Sequence, residues 1–307
     1  MTVDLSVKIG KLILKNPVMP ASGCFGYGEE YARFFNLSRL GAIVVKGTTM
    51  RPRPGNKPPR IAETPAGILN AIGLQNPGAE EARLRIRQLT GYGIPVIVNV
   101  AGNSKEEYLQ VIQTLEKEEA ASAYEINVSC PNVKAGGLSF GTDSGVIYEL
   151  VSLLRAATKK TLIVKLSPNV TDIAPLARAA EDAGADALSL INTLVGTAID
   201  IQKRRPLLGN VTGGLSGPAV KPVALHFVWQ VSDAVKLPVI GMGGISSAED
   251  AVEFLLAGAS AVAIGTANFI NPLVCLEVID GIAAYLQENN FNSVGEIIGL
   301  AKKGKAG

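Results

Sequence analysis

The stretch LIVKLSPNVTDIAPLARAAEDAGADALSLIN, residues 162–192, decides the fold that the sequence predicts. Two short apolar runs, Leu162–Ser167 and Ala187–Asn192, are typical of buried strands, and the helical periodicity of Thr171–Ala183 lies between them. A strand, a crossover helix and a second strand form the unit from which parallel sheets are built. This stretch therefore predicts an α/β protein with parallel strands.

The same alternation of strand and helix continues along the whole chain. Further helical patterns lie at Ser104–Glu119 and Ala248–Ala257. Eight alternating units favour closure into a (β/α)8 TIM barrel, formed by a single domain over residues 1–307. A doubly wound sheet is the alternative, although no G-x-G-x-x-G opens its first helix. The predicted strands are Pro17–Ser22, Gly41–Lys46, Pro95–Ala101, Ala123–Ser129, Leu162–Ser167, Ala187–Asn192, Pro238–Gly241 and Ser260–Gly265.

Outside the repeating units, the sequence predicts an N-terminal β-hairpin and three long connections. Residues 3–15 alternate between apolar and polar side chains, with Gly10 at the turn. Long loops are expected after the second, fourth and sixth strands, at residues 47–76, 131–141 and 193–216. Loops that follow the strands of a barrel lie at its catalytic end, and long loops in compact domains are usually functional.

The composition restricts the classes of function. The net charge of +2, from 29 basic and 27 acidic residues, gives no reason to expect nucleic acid as a partner. The sequence has no apolar run near the roughly 18 residues of a membrane span, and its charged beginning is not a signal peptide. Cys24, Cys130 and Cys275 lie far apart without CxxC spacing, which predicts reduced thiols in the cytoplasm and no metal cluster held by this chain alone.

Polar residues and glycines follow the predicted strands, at the end where barrel strands converge. Lys46 and Lys165 each end an apolar run, where a lysine is costly unless it meets an anion or a polarised carbonyl. Taken alone, either lysine could instead extend its ammonium to solvent at the rim of the barrel. The endings GMGG and IGTA suit a phosphate-bearing ligand, because glycines allow close approach and helix N-termini present free N–H groups. The strand-end residues are Ser22, Lys46, Asn99, Asn127, Lys165, Asn192, Gly243, Gly244, Gly265 and Thr266.

Cys130 lies in YEINVSCPN, residues 124–132, where a strand ends in an amide, a hydroxyl and a thiol before a proline. The chain has one histidine, His226, so this thiol is a candidate for the base that histidine usually provides. The alternative is a buried structural cysteine, the common fate of a free thiol. The residues alone therefore predict a barrel enzyme for a phosphate-bearing ligand with Cys130 as its acid/base, with a non-enzymatic ligand sensor as the rival.

Ordered motifs over nearly the whole chain resemble the dihydroorotate dehydrogenases, the flavin enzymes of pyrimidine biosynthesis. The resemblance implies a (β/α)8 barrel that holds one FMN and oxidises dihydroorotate to orotate. The motifs are PASGCFGYG at 20–28, VVKGTT at 44–49, LNAIGLQNPG at 69–78, NVAGN at 99–103, INVSCPNVKAGG at 126–137, VKLSPN at 164–169, INTLVG at 191–196, TGGLSGPAVKP at 212–222, GMGGI at 241–245 and IGTANF at 264–269.

The resemblance also implies roles for individual residues. Cys130 resembles the base that removes a proton from carbon 5 of dihydroorotate, while hydride passes from carbon 6 to the flavin, and residues 131–141 resemble a loop that closes over the substrate. Substrate-binding positions match Lys46, Asn70, Ala71, Ile72, Gly73, Leu74, Asn127, Asn192 and Thr193. FMN-binding positions match Ser22, Lys46, Gly47, Asn99, Asn127, Lys165, Ile191, Gly217, Gly243, Gly244, Gly265 and Thr266, with Lys165 beside the pyrimidine part of the flavin.

The motifs NAIGLQNPG and INTLVG resemble the NAD-linked form within the family. That form implies a homodimer of this chain as the core of a heterotetramer, whose partner subunits carry FAD and a two-iron, two-sulfur cluster. The alternatives are a fumarate-using homodimer and the pyrimidine-reducing module of dihydropyrimidine dehydrogenase, which shares FMN and the S-C-P motif. Membrane-linked members use serine as the base and carry an N-terminal extension that this sequence does not show.

Overall fold

The computed structural model describes residues 3–129, 134–135, 138–139 and 141–304. At its centre lies a nearly closed barrel of eight parallel strands. At the seam between the two outermost strands, the N–H of Gly41 donates to the carbonyl of Val18 over 2.9 Å. In chain numbering, the barrel strands are β3 (Val18–Pro20), β4 (Ile43–Thr48), β7 (Val96–Val100), β8 (Ala123–Asn127), β11 (Thr161–Lys165), β12 (Ala187–Leu190), β17 (Val239–Met242) and β18 (Ala261–Ile264). They lie side by side in the order β4-β7-β8-β11-β12-β17-β18-β3.

Each barrel strand overlaps one of the eight predicted strands, so the predicted fold is confirmed. The apolar runs form strands because both faces are covered: all five residues of β7 are buried. Helices surround the sheet and pack one apolar side on it. The helices are α1 (Ala79–Leu89), α2 (Lys105–Leu115), α3 (Ser144–Ala157), α4 (Ala174–Asp182), α5 (Lys221–Ala234), α6 (Ala248–Leu256), α7 (Ala267–Ile270), α8 (Val274–Glu288) and α9 (Leu300–Lys303).

Helix α2 shows how the sequence forms the outer layer. The Ser104 side chain caps the helix by accepting from the N–H of Glu107. Tyr108, Val111 and Leu115 are buried at helical spacing, so one stripe of the helix packs on the sheet. No helix in the described part of the chain is long and apolar enough to cross a bilayer.

The predicted N-terminal hairpin is present as β1 (Val7–Ile9) and β2 (Leu12–Leu14), with Gly10 between them. It lies across the amino ends of the barrel strands, where the N–H of Lys11 donates to Thr161 Oγ1 over 3.0 Å. The hairpin therefore covers the end of the barrel opposite to the predicted site.

The long connections after the second and sixth barrel strands pair with each other, which the sequence did not predict. They form an antiparallel sheet in the order β13-β16-β6-β5, with Leu215 opposite Leu69. Two short hairpins complete the loops. The strands are β5 (Ile61–Thr64), β6 (Gly67–Asn70), β13 (Leu194–Thr197) and β16 (Thr212–Ser216), with β9 (Lys134–Ala135) paired to β10 (Leu138–Ser139) and β14 (Ile199–Asp200) to β15 (Arg205–Pro206).

Candidate active site at the carboxyl ends of the barrel strands

The predicted strand-end residues meet at one mouth, because parallel strands bring their carboxyl ends together. The ammonium of Lys165, at the end of β11, lies 3.2 Å from Ser22 Oγ, which follows β3. The amide of Asn192, after β12, donates to Asn127 Oδ1 at the end of β8 over 3.3 Å. These contacts join side chains from four different strands of the barrel.

A buried carboxylate that the sequence analysis missed lies beside Lys165. Glu125 Oε2 is 3.8 Å from Lys165 Nζ, and the two side chains are only 3% and 6% exposed. The Glu125 oxygens also accept from Asn99 Nδ2 over 2.6 Å and from Ser189 Oγ over 2.8 Å. A signal for this carboxylate was present, because Glu125 is a charge inside the apolar strand AYEIN, two residues before Asn127 and hence on the same face.

Two polar groups at the mouth lack a partner within the described residues. Asn99 Oδ1 is buried and accepts no hydrogen bond there, although its amide nitrogen is held by Glu125. The half-buried Lys46 has no hydrogen-bonding or ion-pairing partner for its ammonium there. Buried polar groups in native proteins are nearly always paired, so the orphaned Asn99 Oδ1 indicates a polar ligand, and the Lys46 ammonium is available to the same ligand. A Cβ on Gly47 would lie 3.0 Å from Asn99 Oδ1, so glycine leaves this space open.

The glycines after β17 have a backbone that other residues rarely adopt. Gly243 has φ +126° and Gly244 has φ +78°. A Cβ on Gly243 would lie 2.7 Å from Ala224 Cβ, and one on Gly244 would lie 2.8 Å from the backbone nitrogen of Lys221. The chain therefore turns tightly here and exposes backbone rather than side chain, as a phosphate cradle requires.

The N-terminus of α6, which follows these glycines, is already occupied by its own side chains. Ser247 Oγ accepts from the N–H of Asp250, and the Asp250 carboxylate accepts from the N–H groups of Ser246 and Ser247 over 2.8 and 3.1 Å. The cap takes up the N–H groups of Ser246, Ser247 and Asp250, and the role of this helix N-terminus in a phosphate site stays a prediction. The short α7 after β18 has no side-chain cap at Thr266, whose hydroxyl instead donates to Ser216 Oγ over 2.9 Å.

The predicted substrate segment is held by the antiparallel sheet above the barrel. Asn70 ends β6 and donates to the carbonyl of Gly214 over 3.2 Å. Thr193 packs against the same glycine, since a Cβ on Gly214 would collide with the Thr193 hydroxyl. The carbonyls of Ala71 and Ile72 accept from the side chain and backbone of Asn56 over 2.9 and 3.0 Å. Asn70 and Thr193 thus reach the mouth from two long loops joined into one sheet.

The other predicted residues are located by their backbone contacts and φ angles. The N–H of Ile191 donates to the carbonyl of Met242, which puts Ile191 beside the glycines after β17. Gly217 lies against Gly67, where a Cβ would come within 2.6 Å of its Cα. Gly73 and Leu74 both have positive φ, at +76° and +54°, in the tight turn that follows Asn70.

Cys130 and most of the predicted closing loop lie outside the described residues, so these predictions remain open. The chain that leads to Cys130 is fixed at the mouth, because the hydroxyl of Ser129 donates to the carbonyl of Lys165 over 3.3 Å.

Burial raises the pKa of Cys24 to about 11, an effect that the nearby Lys165 charge opposes, and raises the pKa of Cys275 to about 12. His226 is exposed to solvent on the outer helix α5. Within the described residues, then, neither of the other two thiols nor the histidine competes with Cys130 as a base.

A solved structure shares this architecture. A crystal structure of DHODH from Eimeria tenella in complex with ferulenol matches with a TM-score of 0.83, over 97% of this chain and 88% of that one. The sequence identity is 24%, so this likeness concerns the fold alone.

Curated relatives are much closer in sequence. A Geotalea uraniireducens protein named dihydroorotate dehydrogenase B (NAD(+)), catalytic subunit, is 57% identical over 297 residues, covering 96% of this chain and 97% of that protein. Proteins of the same name from Bacteroides fragilis and Geobacillus kaustophilus are 57% and 53% identical over 300 residues, covering 96% and 97% of this chain and 98% and 96% of theirs. The family model described as dihydroorotate dehydrogenase matches residues 4–286. The chain belongs to the dihydroorotate dehydrogenase family.

Proposed function

We propose that this chain oxidises dihydroorotate to orotate, a step of pyrimidine (UMP) biosynthesis, as the FMN-binding catalytic subunit of an NAD-linked enzyme in the cytoplasm. The observation that carries the proposal is the mouth of the barrel. There the ammonium of Lys46, which has no partner within the described residues, and the orphaned Asn99 Oδ1 lie among the strand-end residues of a chain from this family.

The substrate side of the mouth suits a flat, negatively charged ring of alternating N–H and C=O groups. Asn70, Asn127 and Asn192 each carry both a donor and an acceptor, which such a ring needs along its edges. Lys46 supplies the positive charge for a carboxylate or a polarised carbonyl. These residues, with Ala71, Ile72, Gly73, Leu74 and Thr193, form the substrate site in this proposal.

The cofactor side of the mouth fits FMN. The backbone at Gly243, Gly244, Gly265 and Thr266 would hold its phosphate, with Gly217 and Ile191 alongside. Lys165 would lie by the flavin ring with Asn99, Ser22 and Gly47, where Asn99 Oδ1 is free to accept a hydrogen bond. When bound, FMN accepts the hydride that leaves carbon 6 of dihydroorotate.

Cys130 completes the reaction as the base in this proposal. Its thiolate takes the proton from carbon 5 of dihydroorotate, and the loss of hydride from carbon 6 leaves the carbon–carbon double bond of orotate. Lys46 and the asparagines hold the ring in place while the proton moves. The resemblance of SCPN to the family motif, together with the anchored Ser129, supports this assignment.

The isolated chain is expected to bind FMN in preference to FAD. The glycine loop offers one phosphate site at the end of the barrel, and the strand-end polar groups match an isoalloxazine ring. Flavin released from the purified, reconstituted chain and identified by chromatography measures this. Recovery of FAD, or of no flavin after reconstitution with FMN, would contradict the proposed function.

Electron transfer to NAD is expected to require a partner subunit that carries FAD and a two-iron, two-sulfur cluster. Three cysteines without cluster spacing give this chain no iron–sulfur centre of its own. The names of the relatives specify a catalytic subunit, which supports a separate partner subunit. In this proposal that subunit transfers the electrons and binds to a homodimer of this chain.

Two assays measure this dependence. The FMN-loaded chain alone should oxidise dihydroorotate with an artificial dye but should reduce NAD only when the partner is added. Full NAD reduction by the lone chain would be evidence against the partner, and turnover with fumarate would favour the homodimeric form of the enzyme instead.

A further inference from the structure

Glu125 carries a buried charge, and none of the roles proposed above involves this residue. Its side chain is 3% exposed, inside the barrel, and both of its oxygens are engaged. Ser189 Oγ donates to Oε1 over 2.8 Å, while Asn99 Nδ2 donates to Oε2 over 2.6 Å. A carboxylate in this environment is costly to bury, so its position beside Lys165 calls for a function.

We propose that Glu125 is a positioning residue that fixes Lys165 and Asn99 toward the flavin and partly neutralises the Lys165 charge, which lowers the midpoint potential of bound FMN. The inference rests on the proposed function, because it requires FMN at this mouth. It concerns a side chain that acts through its neighbours and makes no contact with the substrate.

The geometry explains the effect on Lys165. Its ammonium lies between Ser22 Oγ at 3.2 Å and the Glu125 carboxylate at 3.8 Å. Two-electron reduction of FMN with one proton leaves negative charge on the pyrimidine part of the ring, which a nearby cation stabilises. A carboxylate held at this distance offsets part of that stabilisation, because charges interact strongly where little water screens them.

The geometry also explains the orientation of Asn99. A carboxylate only accepts hydrogen bonds, so it selects the amide nitrogen of Asn99 and leaves Oδ1 free. Asn99 therefore presents an acceptor, suited to a ring N–H. Glu125 thus decides both the charge and the hydrogen-bonding character that the barrel presents to its ligand.

The test is a redox titration of the FMN-loaded full chain, wild type against Glu125→Gln. Glutamine keeps the size and one of the two acceptor oxygens but removes the charge, so the full Lys165 charge acts on the reduced ring. We expect the midpoint potential to rise by at least about 30 mV, which is a tenfold change in the equilibrium constant of a two-electron couple. The affinity for reduced FMN should rise relative to that for oxidised FMN by the same factor.

Two further variants separate this role from a structural one. Glu125→Asp moves the charge away from Lys165 by one methylene, so the potential should rise less but in the same direction, even if the glutamine variant folds poorly. Asp186→Asn removes a carboxylate that pairs with Arg155 over 2.7 Å and accepts from the N–H of Leu162, at the amino end of the barrel. It should lower stability without moving the potential.

The outcomes distinguish this inference from the proposed function. A wild-type chain that binds no FMN contradicts the function itself. A wild-type chain that binds FMN, with Glu125 variants whose potential is unchanged or more negative, overturns the role of Glu125 and leaves the function standing. An equal positive shift in Asp186→Asn would also overturn it, because the effect would then be general.

Discussion

Replacing Cys130 with alanine is expected to leave FMN bound and to nearly abolish its reduction by dihydroorotate. The glycine loop and both lysines are untouched, so the cofactor site stays intact. Without a base at this position the proton on carbon 5 has no acceptor, and loss of a general base typically costs about 10²- to 10⁴-fold in rate. Stopped-flow bleaching of the flavin absorbance measures the rate of reduction directly.

The pH dependence makes this prediction specific to one thiol. A free thiol has a pKa near 8.5, so the rate in the wild type should rise with pH as thiolate forms. Burial raises the pKa values of Cys24 and Cys275 to about 11 and 12, and both thiols stay protonated through this range. Cys275→Ser is therefore the matched control and should keep the wild-type profile.

Two results bear on the alternative, a structural Cys130. Cys130→Ser should retain a trace of activity that rises at high pH, because a hydroxyl ionises far less readily than a thiol. Near-normal reduction in Cys130→Ala would show that this cysteine serves only packing and would remove the proposed mechanism.

Replacing Lys165 with methionine is expected to destabilise the chain even without cofactor, and to weaken FMN retention. The substitution leaves the Glu125 carboxylate, which is 3% exposed, without its ion-pair partner Lys165. Breaking a buried ion pair by removing one partner costs about 3–5 kcal/mol, far more than loss of a surface pair. Urea denaturation of the apo chain measures the free energy of unfolding.

The double variant Lys165→Met, Glu125→Gln provides the internal check. It removes both charges together, and replacing a buried pair as a unit is often close to neutral, so much of the lost stability should return. Lys203→Met is the surface control, since Lys203 pairs with Asp200 while 63% exposed and its loss should be too small to measure. If the single variant Lys165→Met were as stable as the wild type, the buried ion pair would not contribute to stability as expected.

The barrel could be predicted from the sequence because its strands carry a local signal. A strand such as β7 is buried along its whole length, so each of its positions except Asn99 is apolar. The convergence of strand-end residues then follows from the fold alone. Lys46, Asn99, Asn127 and Lys165 could therefore be predicted to meet at one mouth.

What escaped prediction depends on contacts between distant segments. The pairing of Glu125 with Lys165 requires the relative register of β8 and β11, where Asn127 lies opposite Lys165. The antiparallel sheet joins segments more than 100 residues apart whose strands are short and rich in glycine, and short strands of that kind carry little periodicity. The cap of α6, in contrast, could have been predicted from the sequence, because Ser247 and Asp250 have the spacing of a capping box.

The sheet formed by β13, β16, β6 and β5 limits how loops can be exchanged between this protein and its relatives. In a barrel whose loops stand alone, one loop is exchanged for that of a relative without regard to the others. Here Gly214 and Asn70 pair across two loops, so a graft or a change of length within residues 47–76 must be matched within 193–216. The two segments form one transplantable unit, and chimeras that divide them should lose the shape of the mouth while the barrel beneath still folds.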